Sequence, residues 1–341
     1  YGTDSLRMSL ILGTTPGNDI RYSSDKVEAS SNFANKLWNA SKFVLMQLED
    51  IEEFKEKDIT DLDTSKMIYV DKWIISKLNT LIKEVTDNIE KYDLGVAAQK
   101  IYDFIKNDFC DWYIEIVKPR LFNKGDKSRY TVQFILNYVL STSLKLLHPF
   151  MPFITEEIYS KLYHKPESIM MTEFPKYKEE LDFKKEEEFV AEIMNIITEI
   201  RNIRSKMNVH PSKKTKLIFV TTTAKDEIEK SEAFLEKLGF ANKIEIQETT
   251  ENIQENAIAI LSKNMEVHIP FEELVDIEEE KKRLESEKKR LESEVQRGEK
   301  MLSNPGFINK APEAKINEEK EKLANYKELL ENVNQKLEKM K

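Results

Sequence analysis

The chain has 341 residues, 40% of them hydrophobic and 34% charged, with a net charge of −9 at neutral pH. That is enough for two or three modest cores; the single Cys excludes a disulfide framework and any Cys-based zinc cluster, and no apolar run reaches the roughly 20 residues of a membrane span. Only 8 Gly and 10 Pro, beside long Glu/Lys-rich periodic runs, predict a mainly α protein.

Leu6, Leu10 and Ile11 have helical spacing but no leading cap or initiator Met, so the chain is expected to start within a larger unit. A turn-rich link, Gly13-Thr-Thr-Pro-Gly-Asn-Asp-Ile-Arg21, leads into an amphipathic helix over 25–48 with Val27, Ala34, Leu37, Trp38, Val44, Leu45 and Leu48 on one face. An acidic loop over 49–66 precedes a run from Val70 to Ile89 and another from Leu94 to Val117. A further helix spans about 128–147 and stops near His148-Pro149, and a short one follows Pro152. Long helices with short connections predict an antiparallel bundle over 23–165.

After Lys165 the texture changes. Ser168-Ile-Met-Met-Thr-Glu-Phe-Pro175 reads as a strand, 185–207 as a helix, and 214–222 as a strand. A helix over 225–238 is expected to stop at Gly239, followed by short strands at Ile244/Ile246, Ala257–Leu261 and Met265–Phe271. Residues 166–272 are therefore expected to form a small α/β connector. From 273 the chain turns to heptads: Ile277, Leu284 and Leu291, then Ile316, Leu323, Leu330 and Leu337 beyond a Pro/Gly turn. This predicts an antiparallel coiled-coil hairpin over 273–341, its first helix projecting roughly 40 Å.

No catalytic centre is legible. The chain lacks a Gly-x-x-x-x-Gly-Lys-Ser/Thr loop and a Gly-x-Ser-x-Gly elbow, and its four His residues lack metal-ligand spacing. Cys110 reads as a small buried hydrophobe, His148 as a capping or packing residue, and Trp38, Trp73 and Trp112 as core.

Charge is more informative locally than overall. The hairpin is balanced, yet residues 288–315 hold seven bases against four acids. Arg290, Arg297, Lys300 and Lys310 with the ring of Phe307 would suit an exposed nucleobase, against the alternative of a solvated helix surface. Lys118 and Arg120 either grip phosphate or complement a helix end. Arg201 and Arg204, followed by Lys213 and Lys214, either face RNA or tie two domains together through carboxylates. Asn35 and Asn39, one turn apart, are candidates to read base edges.

Several segments together resemble class I aminoacyl-tRNA synthetases. Thr15-Pro-Gly-Asn-Asp-Ile-Arg21 looks like the valine branch rather than its isoleucine and leucine relatives. Phe109-Cys-Asp-Trp-Tyr-Ile-Glu-Ile-Val-Lys-Pro-Arg-Leu121 and Leu147-His-Pro-Phe-Met-Pro-Phe-Ile-Thr-Glu-Glu-Ile158 are similar to the anticodon-domain helices. Arg201-Asn-Ile-Arg-Ser-Lys-Met-Asn-Val209 is similar to the junction beyond them, and Lys106 departs from the pattern, where an aromatic is commoner.

The resemblance implies that 1–22 is the exit of a catalytic domain, 23–165 an anticodon-binding bundle and 273–341 a tRNA-binding arm. It also implies a cytoplasmic monomer whose partners are a valine-accepting tRNA and upstream catalytic and editing domains. ATP with Mg would belong to the whole enzyme and no cofactor to this part, which alone is expected to be inactive. The alternatives are an isoleucine or leucine enzyme, or a non-enzymatic coiled-coil scaffold.

Overall fold

The computed structural model describes residues 1–14, 17, 19, 22–55, 58–162, 168–254, 256–274, 277–304 and 313–339. The chain opens with α1 (Thr3–Ile11) and α2 (Ser24–Leu48). Two 3-10 turns within 58–66 lead to α3 (Tyr69–Glu90), where Val70, Trp73, Ile74, Leu78, Leu81, Ile82 and Val85 fill the bundle core. Asp71 accepts the Ile68 N–H at 3.1 Å and so ties down the first turn of α3.

The next rod is continuous from α4 (Leu94–Asp103) through a π-helix (Phe104–Tyr113) into α5 (Ile114–Phe122), past the point expected from sequence. The π segment has a visible cause. Phe104, Phe109 and Ile114 lie five apart and all are buried, which suits an i→i+5 ladder better than an α-helical one.

α6 (Arg129–Leu147) and α7 (Pro152–Tyr159) complete the bundle. Pro152 opens α7, and the Asp4 carboxylate on α1 accepts the Ile154 N–H at 2.7 Å, a cap supplied by a different helix. Arg7, one turn on, donates to the carbonyls of Pro149 and Phe150, so α1 is fastened to the α6–α7 corner.

The strand expected over 168–175 is absent. Ser168 instead caps a 3-10 turn, Ile169–Met171, with only Ile169 buried and Met170 and Met171 exposed. Isolated apolar residues without a pairing strand settle for the local hydrogen bonds a Ser cap provides.

Beyond α8 (Lys184–Lys206) come β1 (Thr215–Val220), α9 (Lys225–Leu238), β2 (Ala241–Gln247), β3 (Ile258–Leu261) and β4 (Glu266–Ile269). The sheet order is β2-β1-β4-β3, with β1 parallel to β2 across the α9 crossover and the other pairs antiparallel. Ile218 stands opposite both Glu245 and His268. Phe271, expected in a strand, begins α10 (Phe271–Leu274).

Gly239 follows α9 as expected, but the left-handed residue is Phe240, with φ of +55°. Gly239 is required by close approach: a Cβ there would lie 2.7 Å from the Leu235 carbonyl oxygen and 3.2 Å from Leu217.

A single core runs from Met8 to Leu274, so bundle and connector share their packing. In the hairpin of α11 (Ile277–Ser303) and α12 (Glu313–Lys339), Leu291 packs with Val333, Tyr326 and Leu330 in a cluster separate from that core, among the described residues. Gly298 falls seven residues after Leu291, and a Cβ there would meet Leu323 at 3.2 Å. The pairings Leu291 with Val333 and Gly298 with Leu323 run in opposite directions, as an antiparallel hairpin requires. Among the described residues, no helix is long and apolar enough to cross a membrane.

Candidate nucleic-acid interface

The bundle presents one polar stripe flanked by rings. Asn35, Asn39, Lys42 and Met46 recur along α2 at intervals of four, three and four, and all are exposed. On one flank the half-buried Trp38 has the Lys42 and Lys161 ammonium groups over its ring, at 5.4 and 5.2 Å. On the other flank Phe43 lies under Lys118 at 5.3 Å and meets Phe122 edge-on, with centroids 6.3 Å apart and planes at 88°. Cations over aromatic faces hold both partners near one position and leave the charge in solvent. Lys118 is also paired with Glu115 and is half-buried, so it borders the stripe rather than projecting from it.

Three of the arginines expected to meet RNA turn toward the protein instead. The Arg120 side chain is only 11% exposed and donates to the Asp71 carboxylate at 2.8 Å, while Asp71 itself has no exposure. Tyr113 donates to the same carboxylate at 3.0 Å, and Arg120 Nε donates to the Ser128 hydroxyl at 2.8 Å. Burial pulls the Arg120 guanidinium down, but Asp71 more than offsets it and the group stays above its ordinary value. Arg204 is buried, donates to the carbonyls of His210 and Lys213 at 3.1 and 2.5 Å, and stacks on Phe240 at 4.6 Å. Arg201 lies over Trp112 at 5.6 Å and donates to the Leu238 carbonyl. Arg201 does tie bundle to connector, but through the Trp112 ring rather than a carboxylate, whereas the partners of Arg204 all lie within the connector.

Glu115 strengthens that seam from the bundle side. It pairs with Lys118 and, across the seam, with Lys237 of α9 at 3.4 Å. Burial would raise its pKa, yet the two lysines hold it below the ordinary carboxylate value.

The remaining candidates are scattered. Lys213 is half-buried in the turn after α8 and Lys214 is exposed beside it. Arg290, Arg297 and Lys300 are exposed along α11, with Arg297 3.2 Å from Glu294 on the same helix. Phe307 and Lys310 lie outside the described residues.

His148 caps α6, bonded to the Thr155 hydroxyl at 2.8 Å, and burial pushes its pKa down. Cys110, expected to be buried, is half-buried against the bundle core, and desolvation pushes its thiol up to about 12. Trp73 is core, whereas Trp38 and Trp112 are half-buried and carry cations. Among the described residues, no group of three or more His, Cys, Asp or Glu could hold a metal. An open cleft of about 710 Å³ beside His148, Phe153 and Met170 is rimmed by Glu156 and Glu157, the wrong sign for phosphate.

Sequence reasoning missed Lys42, Met46 and Phe122. The first two follow from extending the Asn35–Asn39 spacing by further turns. Phe122 gave no signal, because its periodicity continues the buried face of α5 and only the fold exposes it.

Residues 71–219 match the model of the anticodon-binding domain of tRNA ligase, and residues 276–341 that of the valyl tRNA synthetase tRNA binding arm. The valine–tRNA ligases of Clostridium perfringens and Clostridium tetani are each 46% identical over 94% of this chain, and that of Bacillus anthracis is 41% identical over the same share. The chain belongs to the valine–tRNA ligase family. It spans 36% of the length of these relatives. A solved leucine-enzyme complex with tRNA from Agrobacterium radiobacter aligns over 71% of this chain and 28% of that one, at 17% identity and a TM-score of 0.40. Within the family match, the anticodon-binding model begins at Asp71, so it includes Phe122 and its loop, while the α2 stripe precedes it.

Proposed function

We propose that the chain grips a valine-accepting tRNA at two points, the anticodon arm on the bundle and the outer corner of the tRNA on the hairpin. The observation that carries this reading is the pairing, on one chain, of an anticodon-binding match over 71–219 with a tRNA-binding-arm match over 276–341. The α2 stripe supplies the chemistry such a site needs. Asn35 and Asn39 offer amides to base edges, and Lys42 and Lys161 offer charge to the backbone. A net charge of −9 is no obstacle, since phosphate contacts need only a local basic face.

In this reading the chemistry belongs to the rest of a longer enzyme: valine is activated with ATP and Mg, then esterified to the tRNA 3′ end. The bundle and hairpin position the tRNA for that step, in a cytoplasmic monomer. The purified chain alone is then expected to give no valine-dependent pyrophosphate exchange.

The test is a binding titration at fixed salt. Valine tRNA should bind more tightly than the same tRNA with a changed anticodon, and both should weaken steeply as salt rises. Equal affinity for the two would leave only non-specific phosphate binding and remove the anticodon assignment.

A further inference from the structure

We infer that Phe122 is a stacking platform for one unpaired nucleobase of an RNA loop. The inference rests on the reading that the bundle surface takes an anticodon arm, and it adds a residue and a contact type.

Phe122 is 64% exposed although its backbone ends a helix whose neighbours Leu121 and Val117 are buried. A lone exposed apolar side chain is ordinary on a protein surface; Phe122 adds to its exposure a braced position and a basic surround. Its place is fixed from behind by Phe43, edge-on at 6.3 Å. The following loop is fixed as well. Asn123 Oδ1 accepts the Gly125 N–H at 3.1 Å, and Asp126 Oδ1 accepts the Ser128 N–H at 2.8 Å. Arg129 Nε donates back to the Leu121 carbonyl at 2.9 Å, and the buried Arg120 holds the Ser128 hydroxyl. A ring at a helix end, beside a loop with so little freedom, has little left to lose when a base settles on it.

The surroundings select the occupant. Lys124 and Lys127 are exposed on the same loop, and Lys118 lies over Phe43 behind the ring. A ring bordered by cations on a protein that is acidic overall suits a base whose flanking phosphates meet those lysines. An apolar protein partner would gain from the ring but leave the lysines uncompensated.

The experiment uses the whole chain and valine tRNA at fixed salt, with each anticodon-loop nucleotide replaced in turn by an abasic one. Phe122→Ala should weaken binding about tenfold with the salt slope unchanged, while Phe122→Tyr keeps the affinity. One abasic tRNA should show the same loss, and that loss should not add to the loss from Phe122→Ala. Helicity, monitored alongside, should match wild type, as expected for an exposed position. If Phe122→Ala binds every tRNA like wild type while the wild-type anticodon preference persists, the platform is overturned and the anticodon reading stands. If wild type shows no anticodon preference at all, both fall.

Discussion

Removing the Arg120 side chain would strand the Asp71 carboxylate in a site with no solvent exposure. A buried charge left without its partner typically costs about 3–5 kcal/mol, so Arg120→Ala should lower the stability measured by urea unfolding by that order. Lys124→Ala, in the exposed loop beyond it, should move stability by less than about 0.5 kcal/mol. This contrast also marks what a sequence can say about single residues. Lys118-Pro-Arg120 announces two cations at a helix end, but that Arg120 turns inward depends on Asp71, 49 positions away. Arg204 was equally illegible, since its partners are backbone carbonyls with no residue signature. Asn35 and Asn39 stand on the exposed face of α2, a placement that its amphipathic period alone decides.

At the scale of elements, the seam between α5 and α9 depends on Glu115 being ionised. Its folded pKa lies below the ordinary 4.5, so its contribution is fully present above about 4.5 and is lost as pH falls through the depressed folded value. Stability measured against pH should therefore fall on the acid side, and Glu115→Gln should flatten that part of the profile. The hairpin is the other weak element. Leu291→Ala removes a buried member of the hairpin's packing, a change of about 2–5 kcal/mol for a buried Leu. Hydrogen exchange in α11 and α12 should speed up while the amides of α3 keep their protection. The helices were legible because long amphipathic periods are strong signals; the π segment was not, because a spacing of five among Phe104, Phe109 and Ile114 blurs into an α pattern. The false strand at 168–175 shows the opposite limit, an apolar run of three residues too short to choose between strand and turn.

For the whole molecule, two-point binding makes a quantitative demand. Neutralising Arg290, Arg297, Lys300 and Lys310 together should weaken tRNA binding more than tenfold, roughly 1.4 kcal/mol, and flatten its salt dependence by up to about one unit of slope per lost phosphate contact. A variant that keeps its helicity, affinity and salt slope would make the arm a spacer. The overall order of bundle, connector and hairpin was legible from texture alone, but the continuous core beneath the first two was not, since it depends on rings such as Tyr69 and Phe189 meeting across the boundary at 4.8 Å.

The three tryptophans of the chain, Trp38, Trp73 and Trp112, all stand on bundle helices. Tryptophan emission, excited apart from tyrosine, therefore reports on the bundle, with Trp112 watching the seam from beneath Arg201. Circular dichroism weighs every helix, including the 27 residues each of α11 and α12. A denaturant titration followed by both signals should separate into two curves. Ellipticity would begin to fall while emission is still that of the native bundle, and the gap between the midpoints measures how far the hairpin's folding is uncoupled from the rest.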